Sequence, residues 1–272
     1  MATARPSDPE ILLALPAKLK APLAQVRGPK PLVLLLHPPK TGGTTLHFNL
    51  EASQSAKDLP YTRLRVDRKW TPPTLIVRNW TGAWDSPSIN EDVLKPLMKA
   101  PLDQTIFISG HFPYGIEKLL MKYFPKRPIM YVGQVRNPIE RELSALNYEA
   151  AKSKDGVSVE DYLRMIDPHD PAAPRLMDNP QTRLFAGIEA MTARRCDQTT
   201  FQMALTNIAH RFNLIATTEQ THPLMEAIVA VHGLLPVAYH KSNVTTHKRL
   251  FDFSPTHKSY LRDLHSFDIK LH

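Results

Sequence analysis

Short, continuous apolar runs separated by polar and proline-rich stretches dominate the pattern of this chain. Three of them, residues 32–36 (LVLLL), 105–109 (TIFIS) and 129–135 (IMYVGQV), show no regular alternation of apolar and polar positions. A continuous run of this length predicts a strand buried on both faces, as in parallel sheets. Residues 213–217 (NLIAT) predict a fourth strand.

The segments between these strands carry helical signals. Leu46 and Leu50 lie one turn apart in a helix predicted over residues 44–52, and Asn137 before Pro138 predicts the cap of another helix. That second helix is predicted over residues 139–151. Further helices are predicted over residues 159–166, 199–211 and 222–234. Because strands alternate with helices, the expected fold class is α/β, with a central parallel sheet flanked by helices.

A single domain over residues 30–272 accounts for this alternation, since no internal repeat divides the segment. Residues 1–29 form an expected N-terminal extension with one short helix over 9–20. Residues 57–104 are rich in Pro, Trp and Arg and form an expected irregular insertion, which we expect on the acceptor side. The last 30 residues are expected to be mostly loop and edge structure.

The charge balance narrows the expected partners. Lys and Arg total 34 against 26 acidic residues, a formal net charge of +8, which favours the binding of anions. The basic residues are scattered, so a nucleic-acid partner is not expected. The lone cysteine, Cys196, cannot form an intramolecular disulfide, and no apolar stretch reaches the length of about 18 residues typical of a transmembrane helix. We therefore expect a cytoplasmic protein without an integral membrane segment.

The strongest candidate for chemistry is the segment HPPKTGGTT, residues 37–45, between the first predicted strand and its helix. Backbone N–H groups of such a loop, together with a helix N-terminus, bind anionic oxygens. The candidate binding residues are Lys40, Thr41, Gly42, Gly43, Thr44 and Thr45. In a Walker A loop the lysine follows the second glycine, whereas Lys40 precedes both glycines. This order disfavours ATP or GTP hydrolysis.

A second candidate segment, VRNPIERELSALNY, covers residues 135–148 and begins where the third predicted strand ends. Arg136 and Ser144 lie eight residues apart, just over two helical turns, so both can face one side of the helix. A guanidinium and a hydroxyl together suit a phosphate group. We expect Glu140 and Arg141 to form structural ion pairs.

Together the two segments resemble the phosphate-binding motifs of sulfotransferases that use PAPS (3′-phosphoadenylyl sulfate). They are most similar to the glycan-modifying branch that includes heparan sulfate 2-O-sulfotransferase. That branch pairs a PKTxxTS-like loop with an RDPIERxxS segment, and this chain reads PKTGGTT and RNPIERELS. Asn137 stands where the family usually has Asp. The resemblance covers residues 30 to 150 well and the remainder weakly.

The resemblance implies a P-loop-like domain with PAPS-dependent O-sulfotransferase activity, moving a sulfuryl group by in-line displacement to an acceptor hydroxyl, in this branch a carbohydrate. PAPS is then the cofactor, adenosine 3′,5′-bisphosphate the product, and no metal is required. Lys40 is expected to neutralise the leaving oxygen, and residues 41–45 to hold the 5′ phosphosulfate. Arg136 and Ser144 are expected to bind the 3′-phosphate.

The resemblance also implies a general base. His111 lies in the segment GHFPYG, residues 110–115, and in the family a histidine of a matching Gly-His segment takes the proton of the acceptor hydroxyl. An imidazole with an ordinary pKa of about 6.5 can do this at neutral pH. Glu51, on the helix after the loop, is the second candidate base.

Two later segments are shorter matches to the family. Residues 178–183 (DNPQTR) resemble a stretch that shapes the acceptor side, which makes Arg183 a candidate substrate-binding residue. Residues 243–249 (NVTTHKR) resemble a loop that closes over the nucleotide, with Thr246 and Lys248 as candidate nucleotide-binding residues.

Two alternatives stay open at this point. One is a P-loop nucleotide phosphotransferase, and the other is a catalytically inactive module that binds polyanions. A zinc enzyme is not expected: eight of the twelve histidines fall from His210 onward, but none of them forms an HxxxH or HxH pair.

Overall fold

Within the residues that the computed structural model describes, five parallel strands form one sheet. These residues are 28–55, 61–64, 91–153, 156–167, 169, 178–191, 195–232 and 251–272. The strands are β1 (Leu32–Leu36), β2 (Tyr61–Leu64), β3 (Ile106–Gly110), β4 (Ile129–Val135) and β5 (Phe212–Thr217). Their order is β2-β3-β1-β4-β5, and each neighbouring pair is parallel. The predicted α/β class with a central parallel sheet is confirmed.

Side chains of β1 divide the core between the two faces of the sheet, because successive residues of a strand point in opposite directions. Leu32, Leu34 and Leu36 pack on one face, and Val33 and Leu35 pack on the other. All five side chains are at most 1% exposed. Burial on both faces explains why the run is apolar without interruption.

Helices cover both faces of the sheet. Those described are α1 (Gly43–Ser55), α2 (Glu91–Met98), α3 (Glu117–Leu120), α4 (Pro138–Lys152), α5 (Val159–Ile166), α6 (Pro180–Ala186), α7 (Gln198–Arg211), α8 (Thr221–His232), α9 (Pro255–Leu264) and α10 (Ser266–Leu271). Leu46 of α1 and Leu224 of α8 belong to the core on one face. Phe185 of α6 and Ala204 of α7 belong to the core on the other face.

Most of the predicted elements are confirmed. Strands β1 and β4 have the predicted bounds, β3 and β5 differ by one residue at their ends, and a helix is found at each of the five predicted positions within the described residues. The Asn137 side chain accepts hydrogen bonds from the N–H groups of Ile139 at 3.0 Å and Glu140 at 3.3 Å. The predicted cap of α4 is therefore confirmed as well.

Two predictions about irregular segments are wrong. The last 30 residues contain α9 and α10 rather than mostly loop and edge structure. Helix α9 has ordinary start signals, since Pro255 opens it and the Ser254 side chain accepts from the His257 N–H at 3.2 Å. Residues 57–104 include α2 and also β2, which pairs with β3, so this insertion is not wholly irregular.

The helix predicted over residues 9–20 lies outside the described residues. Among the helices that the structure does describe, none combines the length and the apolar character needed to cross a membrane.

Candidate active site

The candidate site lies where the strand order reverses. The chain places β3 on one side of β1 and β4 on the other, and open parallel sheets bind ligands beside the carboxyl ends of their strands at such a point. His37 follows β1, His111 follows β3 and Arg136 follows β4. Leu36, at the end of β1, is in register with Gly110. The sheet therefore gathers these three side chains at one edge.

The loop after β1 turns through two left-handed residues. Lys40 has φ 68° and Gly42 has φ 80°, a region that residues with a side chain adopt at a cost. Thr41 between them is buried, and its Oγ1 donates to the Pro38 carbonyl at 2.7 Å. Helix α1 then begins at Gly43, where the first N–H groups have no intrahelical acceptor and can bind an anion.

The start of α1 is tightly packed. A Cβ added to Gly43 would collide with the imidazole of His37, so this position needs glycine for close approach. Thr44 and Thr45 follow in the first turn, where Thr44 is half-buried and Thr45 is buried. The loop and the first turn of α1 thus lie at the carboxyl edge of the sheet.

A hydrogen bond to this loop orients His111. Its Nδ1 lies 2.9 Å from the His37 carbonyl oxygen, and because a carbonyl only accepts, Nδ1 carries the proton and donates it. In the neutral imidazole, Nε2 is then the unprotonated nitrogen that a general base requires. The two imidazole rings meet edge to face, with centroids 4.5 Å apart.

The Arg136 side chain reaches across to the loop. Its Nη1 donates to the Lys40 carbonyl at 3.0 Å, and its Nη2 lies 3.9 Å from the Glu140 carboxylate. The side chain is 23% exposed, so part of the guanidinium stays accessible to solvent. Ser144 lies two turns along α4 and is half-buried. The structure thus brings Lys40 and Arg136 into contact.

Two residues that the sequence did not single out join this cluster. The Lys40 ammonium lies 4.0 Å from the centroid of the Tyr148 ring, a cation–π contact. Gln181 forms hydrogen bonds with the backbone of Arg136. Tyr148 lies four residues, or about one helical turn, after Ser144. Extending the helical spacing from Ser144 by one turn could therefore have predicted that Tyr148 shares this side of α4. No spacing signal marks Gln181, which is 45 positions from Arg136.

Arg183 lies in the framework rather than at an open surface. Its side chain is fully buried. Its Nη2 donates to the Asp178 carboxylate at 2.6 Å, and its Nη1 donates to the Ala190 carbonyl at 2.8 Å. A buried guanidinium held in this way is not exposed to an acceptor. The structure therefore corrects the expected substrate-binding role of Arg183 to a structural one.

A buried polar cluster connects α4 with α5 and with His265 at the end of α9. Glu142 accepts from Arg141 and from the Tyr162 hydroxyl, and its Oε1 lies 3.0 Å from Nε2 of His265. Burial, with Arg141 adding to the effect, lowers the pKa of His265 to about 3. His265 is thus neutral, and its Nδ1 accepts from the Asn179 N–H at 3.3 Å. The expected structural ion pair of Arg141 is confirmed.

Some candidate residues cannot be placed in this geometry. Thr246 and Lys248 lie outside the described residues. Glu51 belongs to α1, and its side chain is also outside the described part. In the described ranges, no group of three or more His, Cys, Asp or Glu side chains is arranged to hold a metal ion.

No protein-family model matches this chain, and no curated protein matches it. Among the solved structures that are similar to it is a sulfotransferase from Alicyclobacillus acidocaldarius, with 13% sequence identity and a TM-score of 0.47, covering 89% of this chain and 93% of that chain. Another is mouse sulfotransferase SULT7A1 complexed with PAP, with 12% identity and a TM-score of 0.38, covering 96% of this chain and 73% of that chain. Both of these two chains are sulfotransferases.

Proposed function

We propose that this protein is a sulfotransferase that moves the sulfuryl group of PAPS to an acceptor hydroxyl and releases adenosine 3′,5′-bisphosphate. One observation carries the proposal: Arg136 Nη1 donates to the Lys40 carbonyl at 3.0 Å. This contact joins two motifs that are 96 positions apart in the sequence. It supports a single anion site to which Lys40 and Arg136 would each bring a positive charge.

The residues of the site fit a nucleotide with phosphate groups at both ends. Gly42 and Gly43 place no side chain over the first amides of α1, and Lys40 adds a positive charge. Lys40 with residues 41–45 would hold the 5′ phosphosulfate. Arg136 and Ser144, from the second motif, would hold the 3′-phosphate.

PAPS supplies the sulfuryl group: the acceptor oxygen forms a bond to sulfur while the bond from sulfur to the bridging phosphate oxygen breaks. Lys40 neutralises the negative charge that develops on the leaving oxygen. His111 Nε2 takes the proton of the acceptor hydroxyl, and the hydrogen bond from Nδ1 to His37 holds the required tautomer. The protein therefore acts by alignment and charge stabilisation.

The proposal extends to a carbohydrate acceptor. The likeness of both motifs to the glycan-modifying branch supports it, and the net charge of +8 would attract an acidic oligosaccharide. Mass spectrometry of oligosaccharide mixtures incubated with labelled PAPS tests this extension. Label transferred only to acceptors other than sugars would contradict it.

Isothermal titration with adenosine 3′,5′-bisphosphate and with ATP tests the nucleotide. We expect tighter binding of the bisphosphate. A preference for ATP with turnover that depends on Mg²⁺ would favour the P-loop phosphotransferase. Bisphosphate binding without transfer to any acceptor would favour the inactive polyanion-binding module.

Two substitutions test the chemical roles. His111→Ala and Lys40→Ala should each lower kcat by at least about 100-fold, the scale of a lost general base or charge stabiliser. His222→Ala is the matched control, since His222 is an exposed histidine on α8 with its ring 3.6 Å from Glu226. A His111→Ala variant with near wild-type turnover would contradict the assigned base.

A further inference from the structure

Gln181 holds the backbone of Arg136 from both sides. Its Oε1 accepts from the Arg136 N–H at 2.8 Å, and its Nε2 donates to the Arg136 carbonyl at 2.8 Å. Gln181 is fully buried. Its side-chain amide offers Arg136 the same acceptor and donor that a neighbouring strand would offer. Arg136 therefore has a fixed backbone although it lies just beyond the end of β4.

Gln181 is itself held by the C-terminal helix. The buried Asp268 carboxylate of α10 accepts from the Gln181 N–H at 3.1 Å and from the Thr182 N–H at 2.7 Å. In return, the Asn179 side chain accepts from the N–H groups of Phe267 at 2.8 Å and Asp268 at 3.0 Å. Each helix thus caps the N-terminus of the other. These bonds hold the backbone of Gln181, from which its side-chain amide reaches Arg136.

The Arg136 guanidinium extends toward the loop from this fixed backbone. From this anchor it donates to the Lys40 carbonyl at 3.0 Å and keeps part of its surface exposed. A continuous set of hydrogen bonds therefore runs from Asp268 through Gln181 and Arg136 to the loop. The Arg136 guanidinium in this set is the cation that we assign to the 3′-phosphate.

We propose that Gln181 is a positioning residue that gives the site its preference for nucleotides with a 3′-phosphate. It touches no nucleotide group and acts by holding the Arg136 guanidinium where the 3′-phosphate binds. This inference rests on the proposed function, because it takes the 3′-phosphate as the ligand of Arg136. By its resemblance to the family, the segment of residues 178–183 was expected to shape the acceptor side. The inference instead gives Gln181 of this segment a role in nucleotide binding.

The test compares two ligands that differ only in the 3′-phosphate, adenosine 3′,5′-bisphosphate and adenosine 5′-monophosphate. Their affinities are measured by titration for the wild type, Gln181→Met and Thr182→Val. Thr182 is the matched control, because it is also fully buried in α6 and its Oγ1 donates to Asp268 at 2.7 Å. We expect Gln181→Met to lower the preference for the bisphosphate about tenfold, as for the loss of one charge-assisted contact.

Thr182→Val should keep the wild-type preference for the bisphosphate over the monophosphate. Its loss of thermal stability should be similar to that of Gln181→Met. A wild-type preference in Gln181→Met, or an equal loss of preference in both variants, would overturn the inference. If Gln181→Met does not fold, Gln181→Asn keeps the amide but shortens its reach, and it should lower the same preference. In an Arg136→Ala background, Gln181→Met should change the preference no further, and a further tenfold loss would overturn the positioning role.

Different results would overturn the proposed function and the role of Gln181. A wild-type protein that binds both nucleotides equally would overturn the proposed function, and this inference with it, before any variant is made. A wild type that prefers the bisphosphate, with Gln181→Met unchanged, would overturn only the role of Gln181.

Discussion

The imidazole of His37 lies directly over Gly43: a Cβ built on Gly43 would be 1.9 Å from Cε1 of the ring and 2.2 Å from Nδ1. No side chain fits in that gap, so the first residue of α1 must be glycine as long as His37 keeps its place. His37 in turn accepts the Nδ1–H of His111 through its carbonyl oxygen. The His111 ring also packs edge to face on the His37 ring, with centroids 4.5 Å apart, so the size of residue 43 affects the ring against which His111 packs.

Gly43→Ala should displace the His37 ring and, with it, both the loop and His111. We expect affinity for adenosine 3′,5′-bisphosphate to fall about tenfold or more, since overpacking of this kind costs about 1–3 kcal/mol. Titration calorimetry measures the change. Gly156→Ala is the control: Gly156 has a positive φ of 77° but no atom within 4 Å of an added Cβ. Unchanged affinity in Gly43→Ala would contradict the steric argument.

The cation–π contact between Lys40 and Tyr148 predicts a small loss of kcat when the aromatic ring of residue 148 is removed. Tyr148 is 45% exposed, and a cation–π contact at an exposed site contributes about 0.5–1 kcal/mol. Tyr148→Leu should therefore lower kcat by about two- to fivefold through a less ordered Lys40. Tyr148→Phe keeps the ring and should retain the wild-type kcat. Equal losses in the two variants would point to the hydroxyl group instead.

Arg183→Met tests the structural assignment of Arg183. The substitution leaves the buried Asp178 carboxylate without the guanidinium that it pairs with, and breaking a buried pair costs about 3–5 kcal/mol. Urea unfolding measures this loss. Arg164→Met is the control, because Arg164 pairs with Asp161 on an exposed face of α5 and should lose less than about 1 kcal/mol. An Arg183→Met variant with wild-type stability and a raised acceptor KM would restore the substrate-binding role.

We expect the free energy of unfolding to fall in mild acid, because two buried histidines have lowered pKa values. Burial lowers the pKa of His265 to about 3 and that of His232 to about 4. Both stay neutral in the fold, while in the unfolded chain they take up protons below about pH 6.5. The unfolded state then binds more protons, so stability falls as pH falls from about 6.5 toward these lowered values.

The expected loss in unfolding free energy is about 4 kcal/mol between pH 7.5 and pH 5, measured by urea unfolding. His232 packs against the Phe107 ring, with centroids 5.1 Å apart, so His232→Leu keeps an apolar contact there and should remove about half of that pH dependence. His222→Gln changes an exposed histidine on the same helix and should leave the pH dependence intact. An identical pH dependence in His232→Leu and wild type would contradict the assignment.

The sequence predicted best what depends on neighbours in the chain. The continuous apolar run of β1, the Asn137 cap and the glycine loop are local patterns, and the structure has each of them where it was predicted. Parallel strands then placed the ends of β1, β3 and β4 together, since the carboxyl ends of such strands share one edge. The positions of His111 and Arg136 relative to the loop follow from that rule.

What the sequence could not show depends on partners that are distant in the chain. Arg183 is charged, and charged residues are usually exposed; only the Asp178 carboxylate and the Ala190 carbonyl make its burial possible. Gln181 is 45 positions from Arg136, and no periodicity links the two. The short helix α10 has no long apolar face, and it is held by the hydrogen bonds between Asp268 and α6.

The mutual capping of α6 and α10 also sets the order in which the site can be completed. The two helices have seven and six residues, too few for either to persist alone in water. Asp268 is synthesised 87 positions after Gln181, so a growing chain can already contain every strand of the sheet and still lack the bond that fixes α6. The hydrogen bonds that hold Gln181, and through it the backbone of Arg136, can therefore form only late in synthesis, and a nascent chain that stops before residue 268 lacks them.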